Sequence, residues 1–212
     1  MSDIIKNPYK ILTESCTGEY EEKKSKFIAN LAFADSEEMA NAYIASIRKK
    51  YYDARHNCTA MILNEDSSLV RSSDDGEPSG TAGKPMLEVL QGSGITNIVA
   101  VVTRYFGGTL LGTGGLVRAY SQAVKNALSE AKIASMEYCV NIDVTCSYAD
   151  INSIQYFIGN NNIFVIGSDY LENVVFHLRC KVENKDSLTK AITELTKGQA
   201  LIEVKDTGFF PI

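Results

Sequence analysis

The sequence predicts an α+β protein built as two domains, and three observations carry that reading. The run Ile98–Tyr105 is continuously apolar and β-branched, as expected of a strand buried on both faces. After residue 136 the pattern runs strand, helix, strand, strand, helix, strand in about 75 residues, the ferredoxin-like split β-α-β order. A whole small fold placed there puts the boundary near residues 133–137 and gives domains 1–135 and 136–212.

The elements follow in chain order. Residues 19–24 are polar, Ser25 and Lys26 read as a tight break, and 27–33 alternates apolar and small residues, so paired strands come first. Asp35 and Ser36 offer an N-cap, with Glu37 and Glu38 in the first turn. Met39, Tyr43, Ile44 and Ile47 continue at helical spacing into the basic stretch 48–50. Residues 54–63 read as a strand, 64–67 as a turn into a strand at 69–71, and 72–84 as a polar, glycine-rich loop. Pro85 suits the first turn of a helix carrying Met86, Val89 and Leu90. A second glycine-rich loop over 106–115 leads into a helix from about 114 to 134, with Leu116, Tyr120, Val124 and Leu128 in register. The second domain is read as strand 138–146, helix 149–159, strands 163–170 and 174–182, helix 185–196 and strand 201–206.

The 212 residues are 45% hydrophobic and 22% charged, values of a globular chain rather than a disordered one. No apolar run approaches the roughly 20 residues of a membrane span. The first ten residues lack the basic-then-apolar pattern of a secretory leader. The expectation is a cytoplasmic protein with no membrane partner. Five cysteines, odd in number and without a CxxC pair, read as free thiols in a reducing compartment. Two histidines exclude a histidine-rich metal site. The net charge of −5 is uneven: residues 1–135 carry 15 basic and 16 acidic side chains, and residues 136–212 carry 6 and 10. The first part is the better candidate for touching a polyanion, although neither has the basic excess of a dedicated DNA-binding domain.

Two loops concentrate the candidate chemistry. The first runs through Asp74, Asp75, Gly76, Glu77, Pro78, Gly80, Thr81, Gly83 and Lys84 to Pro85. Its glycines let backbone N–H groups approach an anion, and the helix start adds partial positive charge. It is not a P-loop, because Pro78 stands where a glycine is needed and Pro85 where Ser or Thr is. Asp74, Asp75 and Glu77 have the chemistry to hold a hard cation such as Mg²⁺, but a polar turn with capping carboxylates accounts for them better, so neither metal nor cofactor is assigned. The second loop runs from Arg104, Tyr105 and Phe106 through Gly107, Gly108, Gly112, Gly114 and Gly115 to Arg118. Leaving a strong strand and entering a helix, it suits a phosphate or carboxylate at the helix start, with Arg104 and Arg118 as charge partners. Close packing and positive φ are the competing explanation for its glycines. Val117 occupies the place of the third glycine of a dinucleotide fingerprint.

His56 and Cys58 share a strand face near Asp53, which admits a cysteine nucleophile but better fits a core cysteine beside a hydrogen-bonded histidine. His177, among alternating apolar residues, reads as structural. Lys23, Lys24 and Lys26 make a basic hairpin edge, either solvated or binding. No GxSxG, HExxH or SxxK occurs, and no catalytic residue is assigned.

At these loops the chain resembles a known family. DDGEPSGTAGKPMLEVL over 74–90 and VVTRYFGGTLLGTGGLVRAYSQAV over 101–124 closely resemble the IMPACT family in its bacterial form. Lys26-Phe27-Ile28 and Arg55-His56-Asn57-Cys58 sit where that family has similar residues. The resemblance covers the whole chain, since bacterial members carry a small C-terminal ferredoxin-like (DUF1949-like) domain. It implies an N-terminal domain similar to the βαβ superfold of a small-subunit ribosomal protein, GHMP kinases and the fourth domain of elongation factor G. The C-terminal domain would then be similar to that factor's fifth domain. The function implied is a translation-linked regulator or a nucleic-acid- or ribosome-binding module with no established reaction. Its partner would be the ribosome, RNA or a protein of translation control. Eukaryotic members inhibit activation of the general-control kinase, a role that does not carry over to a chain whose second domain resembles the bacterial form. In the binding reading Lys84, Arg104, Arg118 and the Lys23–Lys26 edge reach phosphates, assisted by loop N–H groups. The alternative is a small-molecule phosphate binder or enzyme using the same two loops.

Overall fold

The computed structural model describes residues 7–212; the reading of the first ten residues as leader-free therefore falls largely outside the described ones. One unit spans Tyr9–Ser135 and holds β1 (Tyr9–Leu12), β2 (Cys16–Glu22), β3 (Ser25–Phe33), α1 (Glu37–Lys50), β4 (His56–Leu63), β5 (Leu69–Ser73), α2 (Gly83–Ser93), β6 (Ile98–Tyr105) and α3 (Gly112–Ser129). Its sheet is antiparallel in the order β2-β3-β6-β4-β5. The β-branched β6 is at the centre, where a strand must be apolar on both faces. On one face Ile98, Ala100 and Val102 pack with Phe27 and Leu31 against Met86 and Leu90 of α2 and Leu116, Tyr120 and Val124 of α3. On the other, Val99 packs with Ala32, Met61 and Leu63 against Ala40, Tyr43 and Ile44 of α1.

α1 starts as expected, with the Ser36 Oγ accepting from the Met39 N–H at 3.3 Å. The break in the first hairpin lies elsewhere than expected. Lys23 and Lys24 turn the chain at φ 47° and 65°, and Ser25 and Lys26 already belong to β3. β3 is buried on both faces because helices cover both sides of the sheet. The third helix ends at Ser129 rather than near 134, since residues 133 onward extend into a strand. β1 was not anticipated; it holds the chain start through the Thr96 N–H to Lys10 carbonyl bond at 2.9 Å.

The second unit, made among the described residues of residues 7–8 and Met136–Ile212, contains most of β7 (Ile133–Cys146), then α4 (Ile151–Asn160), β8 (Phe164–Tyr170), β9 (Val174–Lys181), α5 (Lys185–Leu195) and β10 (Leu201–Pro211). The antiparallel order β10-β7-β9-β8 makes the split β-α-β arrangement. Ile154, Ile158, Leu188 and Ile192 of the two helices cover Val140, Ile142, Val144, Phe176 and Leu178. The protein is thus a mixed α+β, two-unit fold. β7 also crosses the division between units, its first three residues falling in the N-terminal one. Among the described residues no helix is long and apolar enough to cross a membrane.

Candidate functional site

Side chains alternate along β6, so Arg104 continues the stripe of Ala100 and Val102 toward α3, while Tyr105 faces the other way. Arg104 is accordingly buried, at 7% exposure, and a guanidinium there needs a counter-charge. Glu77 of the first loop supplies it: Nη1 donates to Oε1 at 2.6 Å, and the Tyr120 hydroxyl of α3 donates to the same oxygen at 2.8 Å. The guanidinium lies 5.5 Å from the Phe27 ring centre and 5.6 Å from that of Phe106. Its Nε–H is buried and has no hydrogen-bond partner among the described residues.

The first loop is shaped by its own carboxylates. Asp74 accepts from the N–H groups of Gly80 (2.8 Å), Ala82 (3.0 Å) and Gly83 (2.8 Å), capping a helix whose N-cap residue, Ala82, has no capping side chain. Burial alone would raise the Asp74 pKa; the three N–H donors outweigh it and hold the carboxyl below the usual range. Asp75 accepts from Arg48 at 3.0 Å and from the Asn57 N–H at 2.7 Å. Its carbonyl lies 2.9 Å from Nδ1 of His56. A carbonyl only accepts, so Nδ1 carries the proton and Nε2 of the neutral ring is an acceptor. Gly76, at φ +86°, lies against the Nδ1–Cε1 edge of that ring. Cys58 donates to the Asp74 carbonyl at 3.0 Å, and burial pushes its thiol up to about 12, which fits a core cysteine rather than a nucleophile. Asp74, Asp75 and Glu77 are therefore all turned to protein partners. Among the described residues no group of three His, Cys, Asp or Glu side chains is placed to hold a metal ion.

Both loops reach one cleft of about 710 Å³. Glu77 and Pro78 come from the first loop, and Arg104, Tyr105, Phe106, Leu110, Leu111, Gly112 and Thr113 from β6 and the second. Asp53, Ala54, Arg55 and His56 form another wall, and Leu116 a further part. His56 and Arg104 are opposite one another in the β4–β6 register and on the same face. Tyr105 donates to Asp53 at 2.7 Å.

Other candidates stand apart from the cleft lining. Lys26 is exposed and paired with Glu19 at 2.9 Å; Lys84 is exposed on the first turn of α2. Arg118 is exposed, and the ion pairs of the first loop's carboxylates are made with Arg48 and Arg104 instead. Gly83 lies against the Ser73 backbone. Gly107 lies against Lys24 and donates its N–H to Ser25 Oγ at 3.0 Å. Thr81 is buried and donates to the Pro78 carbonyl at 2.7 Å. Gly80, Gly108 and Gly112 have positive φ, Gly114 faces open space, and Gly115 meets the Leu111 side chain. Sequence reasoning placed Tyr120 only in the core and gave Arg48, Leu110 and Leu111 no role at the site. The apolar pair Leu110–Leu111 inside a glycine-rich loop was the available signal.

Residues 23–128 match the model of the Impact N-terminal domain, and residues 144–199 match a domain of unknown function, DUF1949. IMPACT family member YigZ of Escherichia coli is 39% identical over 83% of this chain and 87% of its own length. The chain belongs to the IMPACT family. A second IMPACT family member, YvyE of Bacillus subtilis, is 36% identical over 85% of this chain and 83% of its own. A crystal structure described as that of a hypothetical protein superposes with a TM-score of 0.62 at 36% identity, covering 95% of this chain and 99% of that one. All of the cleft falls within the segment matched by the IMPACT model.

Proposed function

We propose that this IMPACT-family chain is a translation-linked binding module of the cytoplasm, with domains 1–135 and 136–212, whose N-terminal domain grips RNA at the Tyr105 end of its sheet. The observation that carries this reading is the charge distribution around the cleft. Lys23 and Lys24 of the β2–β3 turn, Lys49 at the end of α1, and Arg55 before β4 gather at that end. None has an ion-pair partner among the described residues. The carboxylates nearest the cleft are engaged: Asp53 by Tyr105, Asp75 by Arg48, Glu77 by Arg104, and Asp74 by backbone N–H groups. Four cations without an ion-pair partner among the described residues thus collect at one end of the sheet, on a chain whose net charge is −5. Tyr52 is 86% exposed and Phe106 54%, offering flat faces for bases beside the cations. Gly112 and Thr113 bring the start of α3 to the cleft, where its N–H groups favour an anion. The likeness of the two units to the fourth and fifth domains of elongation factor G belongs to the same reading.

Fluorescence anisotropy with short single-stranded RNA across a salt series tests it. Affinity should fall with added salt at a slope of roughly −0.7 per phosphate neutralised, and a Lys24→Glu/Arg55→Glu double variant should lose most of it. RNA and ribosome association that is absent, or indifferent to salt, overturns the reading. A second reading, a compact phosphate ligand, is favoured by the two guanidinium groups, Arg55 and Arg104, that line the cleft. It would appear as a thermal shift with nucleotides or sugar phosphates and no gain with RNA length.

A further inference from the structure

Resting on the RNA reading above, we propose that the cleft receives one unstacked nucleobase and reads its hydrogen-bonding edge through Arg104 and His56. A phosphate is the poorer occupant of the cleft itself. The Arg104 charge is already neutralised by Glu77 at 2.6 Å, so an anion on the floor would meet a carboxylate as well as a guanidinium. Pro78, Phe106, Leu110, Leu111 and Leu116 make much of the wall apolar, which suits a flat, uncharged body with a polar rim. The volume of about 710 Å³ lies within the range of pockets for compact ligands.

On the paired strands β4 and β6 the cleft keeps a donor and an acceptor side by side. Glu77 engages the Arg104 guanidinium through Nη1 alone, and Nη2 keeps N–H donors with no hydrogen-bond partner among the described residues. His56, with Nδ1 held by the Asp75 carbonyl and Gly76 against its Nδ1–Cε1 edge, keeps Nε2 as an acceptor with no partner among the described residues. The two residues are register partners on adjacent antiparallel strands, with Cα atoms about 5 Å apart. A donor beside an acceptor complements the Watson–Crick edge of a base, which carries an acceptor next to a donor. Bases splayed out of single strands are read on that edge and stacked on aromatic rings. Phe106, half exposed beside the guanidinium, supplies the ring, and the rim cations hold the flanking phosphates. A base whose edge presents the wrong order leaves the Arg104 donor unpaired, so the pocket discriminates.

The test compares four short RNA homopolymers with an abasic ribose-phosphate strand of the same length, on the full chain at low salt. The best homopolymer should bind about tenfold or more tightly than the abasic strand, the scale of one stacked base. The four should also differ among themselves. Phe106→Ala should bring all four down toward the abasic affinity, and His56→Phe should erase the differences among them while leaving the salt slope unchanged. Thermal unfolding of each variant checks the fold; if His56→Phe is destabilised, the abasic comparison and the surface-exposed Phe106→Ala decide. Equal affinity for all homopolymers and the abasic strand overturns the base pocket and leaves the RNA reading standing. No binding to any of them overturns both.

Discussion

Gly107 faces the backbone of Lys24 with no room between them for a side chain. A methyl group there would fall inside contact distance of the Lys24 carbonyl group and the Ser25 nitrogen, and neither is free to move. The second glycine-rich loop is thereby seated on the β2–β3 turn, which joins the cleft to the edge carrying Lys23 and Lys24. Gly107→Ala should cost about 1–3 kcal/mol, as overpacking does, and should weaken RNA binding by displacing the hairpin. Gly92→Ala, near the end of α2 with open space around it and an ordinary φ, should be neutral or stabilise by about 0.5 kcal/mol. Urea denaturation of both variants checks the contrast; equal effects would mean that the close approach at Gly107 relaxes freely.

Arg104, Tyr120 and Arg118 differ in what their removal should cost. Arg104→Ala removes one member of a pair buried on both sides, with side chains 8% and 3% exposed, and should lose about 3–5 kcal/mol. Tyr120→Phe removes one hydrogen bond to the same carboxylate and should cost about 1 kcal/mol. Arg118→Ala, on the solvent side of α3, should stay within about 0.5 kcal/mol of the parent. Calorimetry that ranks Arg118 with Arg104 would contradict this arrangement.

Asp74 makes the first loop sensitive to acid. Its carboxyl is held below the usual range in the folded chain, so its contribution to stability is present above the unfolded value of about 3.9 and is lost as pH falls through the lower, folded one. The stability gap between the parent and Asp74→Ala should be widest near neutrality and close at strongly acid pH. A gap independent of pH would mean that the backbone donors do not require the ionised form.

His177 on β9 titrates in the opposite sense. Hydrogen bonds to Asp143 at 2.6 Å and Asp169 at 3.1 Å, against a smaller effect of burial, hold its pKa above the ordinary value. The protonated ring is favoured in the folded state, so the stabilisation is full below about 6.5 and disappears as pH rises through the raised value. With only two histidines in the chain, an NMR titration separates the signals cleanly. His177 should titrate above 6.5, and Asp169→Asn should lower it; a midpoint at or below the ordinary value would exclude the bridge.

Legibility in the sequence followed locality. The Ile98–Tyr105 run and the strand-helix order after residue 136 state their structure within a few residues, and the periodicity was enough. The four-residue β1 has no room to show a period, and the Lys23–Lys24 turn uses positive φ at residues that seldom adopt it. Leu128 fits a helical register, but residues from 133 on join a sheet, which only tertiary pairing decides. At the site, glycine density marked both loops. It could not say that Asp75 takes Arg48 rather than Arg118, because partner choice between distant charges is settled by the topology.

β7 runs as one strand from Ile133 to Cys146, which gives its residues a phase. A strand presents alternate residues to opposite faces, so the sequence there counts in twos. Adding two residues at the Ser135–Met136 step preserves the alternation on both sides, whereas adding one inverts it for whichever side does not re-register. Here odd insertions should disturb folding more than even ones of greater length.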